Sequence, residues 1–230
     1  MMNRTKTAVW ALLSGVVATF LSCAHTPPVP AQVVVKRAQM HMGTLVSITA
    51  VAANEPTAQS AIAAGFHEIN RLERLLSTWI SDSDLSRVNQ SAGQTPVVVS
   101  RDTMELVARS QEMARMTDGA FNIAIGPAVD AWSVTERQRI PTDAELMQAK
   151  PFVDWTRIEL NRTNGTLYLP IAGMRIDVGG IGKGYAADRA VGVMKKAGAQ
   201  AGLVALAGDI KTFGSLPGSS GFPVGIQHPR

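Results

Sequence analysis

The stretch of this 230-residue chain richest in chemically useful groups is Ile176-Asp177-Val178-Gly179-Gly180-Ile181-Gly182-Lys183-Gly184-Tyr185-Ala186-Ala187-Asp188. A strand that feeds glycines into the start of a helix brings several backbone N–H groups to one point, where they can receive an anion. Lys183 adds a mobile positive charge there, and Asp177 sets a hydrogen-bond acceptor at the strand end, suited to a ring or ribose N–H or O–H. Together these suit a nucleotide-like ligand. A Walker loop is excluded, because Gly184 follows Lys183 where Ser or Thr is required and Asp177 occupies a position that needs glycine. Gly182, Gly184 and Ala187 do satisfy the G-x-G-x-x-A dinucleotide fingerprint, with Asp209 after the next strand, which would imply affinity for NAD. The plain structural alternative is a tight strand-to-helix turn carrying a surface lysine.

The elements around this turn predict an α+β fold, a mixed or antiparallel sheet with packed helices. A strand runs from Gly43 to Val51, and Pro56 suits the first turn of a long helix whose apolar positions Ile62, Phe66, Ile69, Leu72 and Leu76 recur at steps of three and four. A second helix is expected from Asp102 to Thr117, and Thr142-Asp143-Ala144-Glu145 is a capping box opening a third. Asn164-Gly165 lies between Arg157–Leu160 and Leu167–Leu169 as a hairpin turn. Arg175 to Val178 is expected as a strand, Tyr185 to Ala197 as a helix, and Leu203 to Ala207 as a buried strand. The order mixes hairpins and helices rather than alternating them, which favours α+β over α/β.

Composition narrows the function classes. Hydrophobic residues make up 46% and charged residues 17%, enough apolar content to bury a core. The single cysteine excludes a disulfide framework and a cysteine-based zinc site. A formal charge of +4 does not indicate a nucleic-acid binder, and Arg4 and Lys6 fall in a removable leader, leaving about +2. That leader, residues 1–22, has a basic start and an uncharged run ending at Phe20-Leu21-Ser22 before Cys23, the pattern of a bacterial lipoprotein signal. Cys23 would then be the lipidated first residue of the mature chain, followed by a proline-rich tether over 23–37 and the main domain over 38–230. An uncleaved membrane helix or an ordinary signal peptide are the alternatives.

Four blocks, in order, carry a resemblance. They are Met42-Gly43-Thr44; Leu76-Ser77-Thr78-Trp79 continuing as Asp82-Ser83-Asp84-Leu85-Ser86-Arg87-Val88-Asn89; Thr117-Asp118-Gly119-Ala120-Phe121-Asn122-Ile123-Ala124-Ile125-Gly126-Pro127; and Asp177 to Asp188 with Ala207-Gly208-Asp209-Ile210. With them the chain resembles the ApbE family, the FAD:protein FMN transferases, from about Met40 to its end. The resemblance implies an enzyme that, with magnesium, moves FMN from FAD onto a threonine or serine hydroxyl of an extracytoplasmic redox protein, releasing AMP. Acceptors in the family are subunits of quinone reductases and related electron-transport complexes, and the implied location is the periplasmic side of the inner membrane, held by a lipid anchor.

The resemblance also implies roles. Met42, Trp79, Ala120, Phe121, Asn122, Asp177 and Lys183 match FAD-contact positions, and Gly180 matches a position whose carbonyl helps hold the metal. Trp79 stands where tyrosine is common and Asn122 where aspartate is common, so an aromatic face and a hydrogen-bonding group are kept while one charge is lost. On residue type alone, Met42 and Trp79 equally suit core packing. Asp209 could assist in activating the incoming hydroxyl, or simply satisfy its own turn. The family pattern continues past His228-Pro229-Arg230 into a segment with further magnesium ligands, so the domain is expected to be incomplete here. A catalytically inactive FAD-binding lipoprotein and a FAD pyrophosphatase are the alternative functions.

Overall fold

The computed structural model describes residues 32–133 and 140–225. In chain order these form strands β1 (Val33–His41) and β2 (Thr44–Ala52), helices α1 (Glu55–Leu76) and α2 (Asp84–Gln90), strand β3 (Val97–Val98), helices α3 (Arg101–Met116), α4 (Gly126–Trp132) and α5 (Asp143–Ala149), strands β4 (Glu159–Asn161) and β5 (Thr166–Tyr168), helix α6 (Gly182–Lys196), and strands β6 (Ala201–Leu206) and β7 (Asp209–Phe213). One antiparallel sheet has the order β1-β2-β6-β7 and a smaller one β3-β5-β4, so the fold is α+β as the sequence predicts.

The larger sheet is one-sided. Val46, Ile48 and Ala50 alternate inward along β2 with no exposed surface, and Val204 and Leu206 continue that face on β6. Helices α1 and α6 cover it. The five apolar residues that predict α1, Ile62, Phe66, Ile69, Leu72 and Leu76, are all buried, and the Asn54 side chain caps the helix by accepting from the Thr57 N–H at 2.9 Å. On the opposite sheet face the cross-strand pair Met40 and Leu45 remains exposed, as do Val34 and Ile210.

An ionic cluster ties α1, α3 and α6 together. Arg71 donates to both oxygens of Glu68 (2.9 and 2.8 Å) and to Asp102 Oδ2 (2.8 Å), while Arg189 lies 3.3 Å from Asp102 Oδ1. The Arg71 hydrogen bonds hold the Glu68 carboxyl below its ordinary value against the opposing effect of burial. Burial raises Asp102, but hydrogen bonds from Arg71 and Tyr185 outweigh it and the net shift is downward.

Three local expectations change. β1 begins at Val33, so Val33–Arg37 of the expected tether belongs to the sheet, where β2 offers a pairing edge along its full length. Arg175–Val178 is extended but is not a strand, because its backbone partners are a side chain and a turn rather than a neighbouring strand. Helix α6 starts at Gly182, ahead of Tyr185, which places Gly182, Lys183 and Gly184 in its first turn. The short helix α2 had no periodic signal to announce it, whereas the capping box at Thr142 and the β4–β5 hairpin form as expected.

Candidate functional site

A cavity of about 390 Å³ opens where the β1–β2 turn, the loop after α1 and the start of α6 meet. Met42, Trp79, Asp177 and Lys183, drawn from three separate sequence blocks, all line it. Each wall has a local cause.

The first wall is the β1–β2 turn. His41 pairs with Thr44, leaving Met42 and Gly43 as a two-residue loop with φ +50° and +68°. Such loops require left-handed backbone at both positions, which suits glycine but costs a methionine of order 1 kcal/mol or more. Met42 is half-buried against the core and faces the cavity, so it is neither a plain core methionine nor a surface one.

The second wall is Ser77–Ile80. The Ser83 hydroxyl donates to the Ser77 carbonyl at 2.6 Å and accepts from the Ser86 N–H at 3.0 Å, capping α2 while holding the loop. The Ser77 hydroxyl in turn accepts from the Trp79 N–H at 3.2 Å. Trp79 is 77% exposed at the cavity rim, an aromatic face without a protein partner to cover it, which removes core packing as its role. Behind this loop, Asp84 is buried and accepts from the Ser100 N–H and the Thr103 hydroxyl, both at 2.7 Å, and from Arg87. Burial pushes its carboxyl up, and these donors more than reverse that. The serine- and aspartate-rich block is therefore a brace for the loop rather than a contact surface.

The third wall is the glycine-rich turn. The Asp177 N–H donates to the Ile123 carbonyl at 2.8 Å, and Asp177 Oδ1 accepts from the Gly179 N–H at 2.7 Å, leaving Oδ2 for a ligand. Gly126, whose N–H donates to the Arg175 carbonyl at 3.2 Å, sits so close that an added Cβ would lie 2.7 Å from Arg175 Cβ. On the other side, Asn89 Nδ2 donates to the Ile176 carbonyl at 3.0 Å and Asn89 Oδ1 accepts from the Ile176 N–H at 2.7 Å. At the start of α6, the Gly182 N–H is taken by the Val178 carbonyl at 2.7 Å, whereas the N–H groups of Lys183 and Gly184 have no partner among the described residues. Lys183 has no carboxylate partner among them either.

The expected residues 120–122 stand beside the cavity without lining it. Ala120 is exposed, and the Phe121 ring lies against Gly180, 3.5 Å from where a Cβ there would be. The Asn122 side-chain carbonyl accepts from the Ala124 N–H at 2.8 Å and so shapes the turn that receives Asp177. Asp209 opens β7 as an exposed residue and is absent from the cavity wall, in keeping with a turn role. Among the described residues no three His, Cys, Asp or Glu side chains converge on a metal position. Gly180 with one free Asp177 oxygen falls short of a self-sufficient magnesium site, which needs near-octahedral oxygen ligation. Cys23 and the leader lie outside the described residues, and no helix among those described is long and apolar enough to cross a membrane.

Sequence reasoning missed Glu73. It lines the cavity, with His41 Nδ1 3.7 Å from its Oε2 and the His41 ring stacked on Phe66. As one of several charged residues on α1 it carried no signal of its own. A larger groove of about 730 Å³ runs along α3 past Arg101, Arg109, Arg115 and Arg162, but it contains none of the expected residues. The smaller cavity combines a helix start with two unpartnered N–H groups, a lysine with no ion-pair partner among the described residues, and an exposed aromatic.

Comparison with known proteins identifies the family. A FAD:protein FMN transferase of Treponema pallidum is 32% identical over 186 residues, covering 77% of this chain and 51% of the relative. One from Klebsiella pneumoniae is 30% identical over 165 residues, covering 71% and 50%. The chain thus spans about half the length of the curated relatives it matches. In fold it is similar to the ApbE protein of Thermotoga maritima (TM-score 0.77, 24% identity, 86% of this chain and 64% of that one) and to the apo flavinyl transferase ApbE of Pseudomonas stutzeri (TM-score 0.76, 24% identity, 85% and 62%). The profile of the ApbE family matches residues 42–230, from the strained Met42 turn onward, and the chain belongs to that family.

Proposed function

We propose that the protein binds FAD in the cavity between Met42, Trp79, Asp177 and Lys183 and serves as a FAD:protein FMN transferase. The observation that carries this reading is Lys183, without an ion-pair partner among the described residues, together with the two open N–H groups of the α6 start, beside the exposed Trp79 ring. A pyrophosphate seated there would meet one full positive charge and oriented N–H dipoles, and an aromatic ring system could stack on Trp79. At about 390 Å³ the cavity accommodates part of a flavin dinucleotide, with the remainder extending through the mouth.

In the transfer reaction an acceptor Ser or Thr oxygen bonds to the FMN phosphorus, the bond to the bridging oxygen of AMP breaks, AMP departs and the hydroxyl proton is released. Lys183 and the helix start would stabilise charge spreading over the phosphate oxygens, and Asp177 would orient the dinucleotide through Oδ2. Magnesium is part of the proposal by family likeness, and no step is assigned to it. The lipid anchor at Cys23 and a periplasmic location at the inner membrane likewise belong to the proposal, supported by the leader sequence. A protein acceptor is supported by the names of the relatives, and its being a redox protein belongs to the proposal by family likeness.

The test incubates the purified chain with FAD, magnesium and an unmodified acceptor protein whose target Ser or Thr hydroxyl is free. Covalent flavin fluorescence on the acceptor, absent with Lys183→Ala, is the expected result. Free FMN and AMP without labelled acceptor would point to hydrolysis, and unchanged FAD at saturating binding to a non-catalytic flavin binder.

A further inference from the structure

Ile176 is 1% exposed, and among the described residues its backbone has no strand to pair with. In antiparallel sheets a residue exchanges an N–H and a C=O with its neighbour. Here one side chain does both: the Asn89 carboxamide accepts from the Ile176 N–H at 2.7 Å and donates to its carbonyl at 3.0 Å. Asn89 ends its own reach on α2, the helix capped by the same Ser83 that holds the Trp79 loop through the Ser77 carbonyl. The adjacent residue, Asp177, is half-buried and lines the cavity, and its N–H donates to the Ile123 carbonyl.

We infer that Asn89 is a positioning residue for ligand binding: by standing in for a missing strand it fixes the Ile176–Asp177 backbone, and α2 thereby sets both the carboxylate wall and the tryptophan wall of one cavity. This rests on the reading of that cavity as a FAD site. Aspartate at position 89 would keep the acceptor for the Ile176 N–H while turning an oxygen toward the Ile176 carbonyl, and alanine would leave both buried groups unpaired. Asn89 does not line the cavity, so a loss of affinity travels through what it holds, and the double variant tests whether that is the 176–177 backbone.

The experiment measures FAD affinity by flavin fluorescence, together with thermal unfolding, for the full chain and for Asn89→Ala, Asn89→Asp, Asp177→Ala and the Asn89→Ala/Asp177→Ala double variant. FAD affinity should fall about tenfold or more in each Asn89 variant, and adding Asn89→Ala to Asp177→Ala should weaken binding by less than about twofold further, because both act through one carboxylate. The unfolding shifts of the two sites should add, which a purely structural role would match and the affinity data would not. If Asn89→Ala does not fold, Asn89→Asp and its combination with Asp177→Ala carry the same comparison. Full binding by the Asn89 variants, or affinity losses that add in the double variant, overturns the inference while leaving the FAD site intact. A parent chain that fails to bind FAD overturns both.

Discussion

The Tyr185 hydroxyl donates to Asp102 Oδ1 at 3.0 Å, two residues beyond Lys183, and so fastens the first turn of α6 to α3. Asp102 is shared with Arg71 of α1, which makes the ionic cluster a clamp directly behind the glycine-rich turn. Three helices thus agree on where the cavity-facing lysine begins its reach. Burial, then the Asp102 hydrogen bond, pushes the Tyr185 phenol well above its ordinary range, so it remains a donor at any working pH.

Replacing Lys183 with alanine removes the cavity's cation without breaking an ion pair among the described residues. FAD affinity should drop by about tenfold to a hundredfold, the loss of one charge-assisted phosphate contact, with folding stability changed by no more than about 0.5 kcal/mol. Fluorescence titration and thermal unfolding of the variant, run side by side, check both halves.

Gly184 is demanded by neither backbone nor packing. Its φ is not positive, and an added Cβ would meet nothing within 4 Å. In the first turn of α6 a glycine costs roughly 0.5–1 kcal/mol relative to alanine. Gly184→Ala should therefore raise stability by about that amount while weakening FAD binding, because a methyl group would stand beside the open N–H groups of the helix start. A variant that gains stability with undiminished affinity would show that ligand phosphates do not approach there.

Asp84 is buried and receives hydrogen bonds from the Ser100 N–H, the Thr103 hydroxyl and Arg87. Asp84→Ala leaves buried donors unmet and should destabilise the fold by about 3 kcal/mol. Asp84→Asn, which cannot serve every donor, should fall between. Denaturant unfolding curves give the comparison directly.

Glu68, Asp84 and Asp102 all have folded-state carboxyls held below their ordinary values of 4.5, 3.8 and 3.8. The unfolded chain then binds protons more readily in acid, so stability is fully present above those ordinary values and is lost as pH falls through the depressed folded ones. The melting temperature should be flat from about pH 6 to 7 and decline below about pH 4. Asp102→Asn should lower the neutral-pH melting temperature and shallow that acid decline.

Much of this was legible in the residue pattern, for physical reasons. The spacing of Ile62, Phe66, Ile69, Leu72 and Leu76 leaves a helix little alternative, and Asn164-Gly165 suits only a tight turn, which Gly165 makes with φ +67°. Met42, Trp79, Asp177 and Lys183, singled out by the family resemblance, lie around one cavity. What escaped was decided at long range. Arg175–Val178 has strand composition, but its hydrogen bonds come from Asn89, 87 positions earlier, and from the turn at Ile123. Glu73 faces the cavity only because α1 is rolled to bury Leu72 and Leu76.

The left-handed corner at Met42 has a consequence for evolution and engineering. Glycine or asparagine would sit there with less backbone cost, yet the chain carries a long, pliable thioether that borders the cavity. Relaxing this one hinge would make a sturdier molecule with a breached pocket, so robustness and ligand capacity pull against each other at residue 42.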